Sequence, residues 1–302
     1  MKGIILAGGS GTRLYPLTLV TSKQLLPVYN KPMIYYPLST LMLARIRDIL
    51  IISTPEDTPR IEQLLGDGTA FGINLSYAVQ KKPEGLAQAF IIGKDFIGDD
   101  ACAMVLGDNL FYGNGLGRKL TDAKKMAEEG QACVFGYYVE DPERFGVMEF
   151  TRHDRDTDDG AVKVLSVEEK PKEPKSNYAI VGLYFYPAGV SGKAEQVKPS
   201  KRGELEITTL NDMYLKEGRL QAQLLGRGFT WMDAGTFDSL RKATNFVCMI
   251  EQYQGMTISA PEEIAYWLKW IDEDQLRASA KKYGKSPYGE HLKAVLEGRI
   301  IL

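Results

Sequence analysis

A chain of 302 residues, 44% hydrophobic and 25% charged, can bury one large core, which excludes the disordered and fibrous classes. Its 37 basic and 39 acidic residues leave a net charge of -2, so no broad positive field exists to hold a nucleic-acid backbone and any phosphate must be bound locally. Cys102, Cys133 and Cys248 are scattered in apolar surroundings and only His153 and His291 occur, which disfavours a disulfide framework, a zinc site and histidine-based triads.

Along the chain, short apolar runs at residues 3–6, 49–53, 75–79 and 103–106 read as buried strands. The first, with residues 3–7 apolar or small, is too short for a signal-peptide core or a membrane span, so a cytoplasmic protein with reduced thiols is expected. Helices are expected between the strands, at 56–65 behind Thr54-Pro55 and at 86–97 behind Gly85. This alternation predicts a doubly wound, mainly parallel α/β sheet over the first half. Residues 146–150 and 162–167 then read as an antiparallel pair joined by the acidic segment 151–160, a solvated hairpin tip, and 181–186 as a further strand. From Thr236, a helix cap, the pattern is helical: 237–251, 262–268, 273–282 and a last helix after Pro287. The expected division is a core at 1–235, split near residue 140, with a helical appendage at 236–302.

The first strand runs into Leu6-Ala-Gly-Gly-Ser-Gly-Thr-Arg-Leu-Tyr-Pro16, whose glycines let backbone amides approach a polyanion and whose Arg13 can grip two phosphate oxygens. A dinucleotide fingerprint is disfavoured because Leu14 stands where a third Gly or Ala is needed, and Gly284-Lys285-Ser286 is no Walker A loop because Ser279 occupies the first glycine position. Lys23 can neutralise phosphate, and Gln24 can offer a donor and an acceptor to a pyrimidine edge; a solvated Lys-Gln pair is the plainer alternative. Gln80 and Gly85 are further candidates for the base, or ordinary turn residues. Asp108 follows a buried strand at the edge where open α/β sheets bind ligands, and Asp233 ends a second strand. Asp108 could simply cap a helix, but two carboxylates also suit Mg2+, which keeps water and bridges to substrate phosphates. Glu169 and Lys170 offer a carboxylate for sugar hydroxyls beside a cation for a sugar phosphate.

In this order the residues resemble the sugar nucleotidyltransferases, in particular the glucose-1-phosphate thymidylyltransferase group, over nearly the whole chain. Besides the glycine turn, the likeness rests on Ser22-Lys-Gln-Leu-Leu-Pro27, Gly85-Leu-Ala-Gln-Ala-Phe90, Val105 to Tyr112, Glu168-Glu-Lys-Pro171 and Arg202-Gly-Glu-Leu-Glu-Ile-Thr208. It implies a Rossmann-like core with an antiparallel sugar-binding insertion, and in-line attack by glucose 1-phosphate on the α-phosphorus of dTTP with Mg2+. Gly8, Gly11, Thr12 and Arg13 would hold the triphosphate, with Lys23 assisting. Gln24, Gln80 and Gly85 would surround thymine. Gly146, Glu169 and Ile180 would surround glucose, Lys170 would meet its phosphate, and Asp108 and Asp233 would hold the metal. The resemblance further implies a homotetramer at the head of dTDP-rhamnose synthesis, without nucleic-acid or membrane partners. A dTDP-sugar would inhibit it at a second site matched by Leu43, Tyr112, Gly113, Arg227, Ser259, Glu263 and Ile264.

Asn114, Phe145 and Ala234 stand where His, Tyr and Thr are common in the family, and the segment 151–160 is longer. None removes a charge the chemistry needs, though Phe145 forgoes a hydroxyl near the sugar. A preference for UTP, or a non-catalytic nucleotide-sugar binder, are the competing readings. The intact set of Arg13, Asp108, Lys170 and Asp233 argues against the second.

Overall fold

The computed structural model describes residues 1–9, 11–151 and 161–300, so the proposed tip at 152–160 lies outside the described residues. In chain order the first half comprises β1 (Lys2–Ala7), β2 (Pro27–Val28), β3 (Lys31–Pro32), α1 (Tyr35–Leu43), β4 (Asp48–Ser53) and α2 (Thr58–Leu65), then β5 (Asn74–Val79), α3 (Gln88–Ile92), α4 (Lys94–Ile97), β6 (Cys102–Leu106), β7 (Asn109–Gly113), α5 (Leu116–Glu128) and β8 (Ala132–Tyr138). The second half comprises β9 (Gly146–Phe150), β10 (Ala161–Glu169), β11 (Tyr178–Tyr186), α6 (Val190–Ala194), α7 (Ile207–Lys216), β12 (Leu220–Leu225) and β13 (Phe229–Asp233), followed by α8 (Phe237–Gln254), α9 (Pro261–Trp267), α10 (Glu273–Tyr283) and α11 (Pro287–Leu296).

A nine-stranded sheet in the order β5-β4-β1-β6-β11-β8-β12-β10-β9 forms the centre. Strands β5, β4, β1 and β6 are parallel, as are β8 and β12; β11 runs against both of its neighbours, β6 and β8. Because β1 is covered on both faces, Ile4 and Ile5 are both fully buried although their side chains point oppositely. The antiparallel pair is present: β10 lies against β9, with Glu169 opposite Gly146. Strands β7 and β13 leave the main sheet as a two-stranded antiparallel ribbon. The sheet thus carries the mainly parallel fold and its antiparallel insertion.

Three boundaries differ from the sequence reading for local reasons. Helix α2 begins at Thr58 because Pro59 is tolerated only in the first turn, where its missing N–H is not required. The expected helix 86–97 is two pieces broken at Gly93, a residue with little helix propensity, where a Cβ would press on Ile4 and Leu50 at 3.1 and 3.2 Å. Helix α8 runs three residues beyond 251 and ends at Gly255 in the left-handed conformation (φ 69°). Its start is as expected: Thr236 accepts from the backbone of Ser239, whose hydroxyl in turn accepts from the backbone of Thr236.

The C-terminal helices are joined to the core. Ile264, Ala265, Leu276 and Leu292 belong to the same buried apolar cluster as Leu38 and Leu41 of α1 and Ile5, Ile51 and Val105 of the sheet. Among the described residues no helix is long and apolar enough to cross a membrane.

Candidate active site

Strand β1 ends at Ala7, and the chain must turn at once because β4 and β6 flank it on both sides. Gly11 makes the turn with φ 60°, a region glycine enters without strain, and the N–H of Leu14 closes it on the carbonyl of Gly11 at 2.8 Å. Arg13 follows on an exposed turn. Its guanidinium lies beside Gly235 and Asp233 and has no hydrogen bond or ion pair among the described residues. Among the described residues it is an uncommitted cation beside the glycine turn.

Ser22 caps the next turn: its hydroxyl accepts from the N–H of Gln24 and donates to Gln24 Oε1 at 2.7 Å. This buries Gln24, with 2% exposed, and fixes its oxygen, so its amide NH2 is the group left to meet a ligand. The adjacent Lys23 donates to Asp108 Oδ2. The side chains of both are 13% exposed, and Asn109 donates to Asp108 Oδ1 at 3.0 Å.

Asp108 sits between β6 and β7 and Asp233 ends β13. Pairing of Asn109 with Asp233 and the bond from Ala234 N–H to the Asp108 carbonyl, 2.9 Å, place the two carboxylates side by side. Asp108 is followed by a strand, so the helix-cap alternative does not apply to it. Burial would push the Asp108 carboxyl up, but the Lys23 ammonium, helped by Asn109 and Asp233, holds it below the usual carboxylate range. Asp233 carries the strain of the pair: burial first, then the Asp108 charge, push its carboxyl up to about 6. Asp233 Oδ1 is buried without a hydrogen-bond partner among the described residues. An orphaned carboxylate oxygen beside a second acid fits a divalent cation. No group of three or more His, Cys, Asp or Glu side chains forms a cage among the described residues, so an ion held here would draw its remaining ligands from water and substrate.

Across the cleft, Lys170 adopts φ 45°, a conformation that non-glycine residues rarely hold, and its N–H donates to the Phe145 carbonyl at 3.0 Å. Such backbone strain persists where surrounding structure enforces it, here directly after β10. Glu169 accepts from Thr208 Oγ and from Arg202, the latter at 3.1 Å, and lies 3.9 Å from the Lys170 ammonium. Gly146 faces this carboxylate, and a Cβ there would stand 2.9 Å from Thr208 Oγ.

One cleft of about 470 Å³ gathers these walls. It is lined by Gly8, Gly11, Thr12, Arg13, Lys23 and Gln24, by Gly146, Glu169, Lys170 and Ile180, by Asp108 and Asp233, and by Gln80 and Gly85. Every residue singled out for substrate or metal therefore lines the same space. Sequence reasoning gave no role to Arg144, Asn109, Arg202, Thr208 and Trp231, which also line it. Arg202 and Thr208 lie within a stretch that carried the resemblance, and Asn109 follows Asp108; position beside a charged motif was the available signal. Phe145, lacking the expected hydroxyl, packs edge-on against Trp231 at 5.3 Å.

The seven residues of the suggested second site lie elsewhere, and none lines the cleft. Leu43 ends α1, Tyr112 and Gly113 end β7, Arg227 lies in the turn before β13, Ser259 precedes α9, and Glu263 and Ile264 are within it. Helix α1 packs on both β7 and α9, and Phe229 pairs with Gly113, which brings the set around one edge of α1. Glu263 is engaged by His291 Nε2 at 2.8 Å and by Trp267.

A doubly wound sheet with a glycine turn after its first strand, a carboxylate pair and a Glu-Lys pair in one cleft is an arrangement suited to nucleotidyl transfer. The sequence model of the nucleotidyl transferase family matches residues 2–249, and the chain belongs to that family. Full-length relatives bear a narrower name: the glucose-1-phosphate thymidylyltransferase of Mycolicibacterium smegmatis is 54% identical over 297 residues, spanning 98% of this chain and 99% of its own. The Neisseria meningitidis protein of the same name is also 54% identical over 297 residues, spanning 98% and 100%. A Bacillus anthracis structure in complex with sucrose, provisionally assigned the same name, is 43% identical, with TM-score 0.72 over 82% of this chain and 94% of that one. A UDP-glucose pyrophosphorylase complexed with UDP-glucose shares the fold at 23% identity, with TM-score 0.72 over 82% and 98%.

Proposed function

We propose that the chain transfers a thymidylyl group from dTTP to glucose 1-phosphate, releasing pyrophosphate and forming dTDP-glucose. A phosphate oxygen of the sugar phosphate attacks the α-phosphorus, and the bond from that phosphorus to the bridging oxygen of the β-phosphate breaks. The attacking phosphate is already anionic at neutral pH, so no general base is required and the scarcity of histidine is no obstacle. Positioning and charge neutralisation carry the reaction. Arg13, without a partner among the described residues, stabilises the departing pyrophosphate, Lys23 and Lys170 flank the reacting phosphates, and Glu169 holds glucose hydroxyls. Gln24, Gln80 and the N–H of Gly85 surround the base. Mg2+, held by Asp108 and Asp233, would neutralise charge on the phosphate oxygens.

The observation that carries this reading is the meeting, in one cleft, of an arginine and a carboxylate oxygen that have no partner among the described residues, a second carboxylate, and the Glu169-Lys170 pair. A nucleotide-binding scaffold would leave that last pair without a purpose. The test is pyrophosphate release from dTTP and, in parallel, UTP, each with glucose 1-phosphate and Mg2+. Release that requires the sugar phosphate supports transfer; dTTP hydrolysis independent of it contradicts it.

The same reading treats residues 1–140 as the nucleotide-binding half, 141–235 as the sugar-binding half and 236–302 as a helical region. It also places the enzyme, as a cytoplasmic homotetramer, at the start of dTDP-sugar synthesis such as that of dTDP-rhamnose. The residues around α1 would then form the site of feedback by a dTDP-sugar.

A further inference from the structure

Gln80 is 5% exposed at the end of β5, where its N–H is bound to the Ser53 carbonyl at 2.7 Å. Its side-chain amide is held from behind. Nε2 donates to Gln88 Oε1 at 2.7 Å, and the same oxygen accepts the backbone N–H of Glu84 at 3.1 Å. Gln88 Nε2 in turn donates to Glu84 Oε2 at 2.7 Å. A carboxylate and a backbone N–H together allow Gln88 one orientation only, with its oxygen toward Gln80. Gln80 must answer with its NH2, which turns Oε1 the other way, against Gly8, where a Cβ would stand 2.2 Å from it. That oxygen has no partner among the described residues, and Gln80 lines the cleft.

We infer that Gln88 is a specificity-positioning residue: it fixes the Gln80 amide so that the cleft offers the nucleobase a hydrogen-bond acceptor and selects a pyrimidine that carries a ring N–H over one that does not. This rests on the proposed reading that Gln80 meets the base. Thymine and uracil carry a hydrogen on the ring nitrogen between their two carbonyls, whereas cytosine has only a lone pair there. An amide free to flip would serve either class, because its NH2 and its oxygen have the same shape. One held by Gln88 leaves cytosine facing oxygen with a lone pair, at the cost of an unmade hydrogen bond.

The test measures kcat/KM for dTTP and dCTP, both with glucose 1-phosphate, in the wild type and three variants. The ratio of the two is unaffected by any fraction of misfolded protein. Gln88→Met keeps the length but removes the acceptor, and the preference for dTTP is expected to fall about tenfold. The double variant Glu84→Gln with Gln88→Glu exchanges donor and acceptor between positions 84 and 88 but still gives Gln80 an oxygen, and should restore the preference to within about threefold of wild type. Gln80→Leu should abolish it. If Gln88→Met retains the full preference while Gln80→Leu loses it, Gln80 orients itself and the inference is overturned. If Gln80→Leu also retains it, Gln80 does not read the base, and the inference falls together with the reading beneath it.

Discussion

The main-chain carbonyl of Asp108 accepts the N–H of Ala234 at 2.9 Å, and through that bond the carboxylate of Asp233 is seated beside that of Asp108. Two acids separated by more than a hundred residues thus share one end of the β7–β13 ribbon. The Asp108 charge raises the cost of ionising Asp233, whose carboxyl in turn helps hold Asp108 below the usual range, so it is Asp233 that added positive charge would relieve. Lys23 supplies part of that charge, and the orphaned Asp233 Oδ1 leaves room for more.

Asp108→Asn and Asp233→Asn are therefore expected to lower turnover by roughly a thousandfold or more without lowering the thermal midpoint by more than a few degrees. Pyrophosphate release and a melting curve on the same preparations provide the check. Near-normal turnover in Asp108→Asn would remove that residue from the metal site.

The pair also sets a pH dependence. With Asp233 pushed up to about 6 in the metal-free protein, a cation binding both carboxylates must displace a proton below that pH and displaces almost none above it. The apparent Mg2+ affinity should be flat from pH 7 to 8 and fall by up to about tenfold per unit below 6. Isothermal titrations at pH 5.5 and 7.5, in buffers of different ionisation enthalpy, would count the proton; equal proton release at both values contradicts the assignment.

Lys170→Ala should raise KM for glucose 1-phosphate about tenfold or more while changing KM for dTTP little, because its ammonium stands 3.9 Å from Glu169, the carboxylate proposed to hold glucose. Initial-rate measurements varying each substrate in turn distinguish this from a general loss. An equal rise for both substrates would assign Lys170 to the nucleotide.

Gly85 takes φ 115°, and a Cβ there would lie 2.4 Å from both the N and O of Leu205. Gly85→Ala should cost about 2 kcal/mol or more of stability, since neither backbone can yield cheaply. Urea unfolding monitored by tryptophan fluorescence measures it; an unchanged midpoint would mean that the loop relaxes freely.

Arg227→Ala should leave turnover near the wild-type rate, because Arg227 lies outside the cleft, yet weaken inhibition by dTDP-rhamnose several-fold. Inhibition competitive with dTTP and unchanged in this variant would place the inhibitor in the cleft instead.

The parallel half of the sheet was legible because its strands are buried on both faces and read as continuous apolar runs, as β1 and β4 do. The helices after Thr236 were legible through their caps and periodicity. Strand β12 was not: Leu220-Gln-Ala-Gln-Leu-Leu225 places Gln223 at 0% exposure, a polar residue that pattern reasoning assigns to the surface. The site was legible where a charge stood beside glycine or at a strand end, as Arg13, Asp108 and Lys170 do. Arg202, Thr208 and Asn109 act through hydrogen bonds to Glu169 and Asp108 made across 33, 39 and 1 positions. Beyond position beside a charged motif, nothing in the local sequence marks the Arg202 and Thr208 contacts, which are made with a residue more than thirty positions away.

In the proposed enzyme one cation, the triphosphate turn and the sugar-phosphate wall share a single cleft. The most direct measurement is anomalous scattering from a crystal grown with Mn2+, glucose 1-phosphate and a non-hydrolysable dTTP analogue. The account predicts a manganese peak between Asp108 and Asp233, with the sugar phosphate within reach of Lys170. A peak elsewhere with both carboxylates unligated, or a sugar phosphate bound outside the cleft, would contradict it.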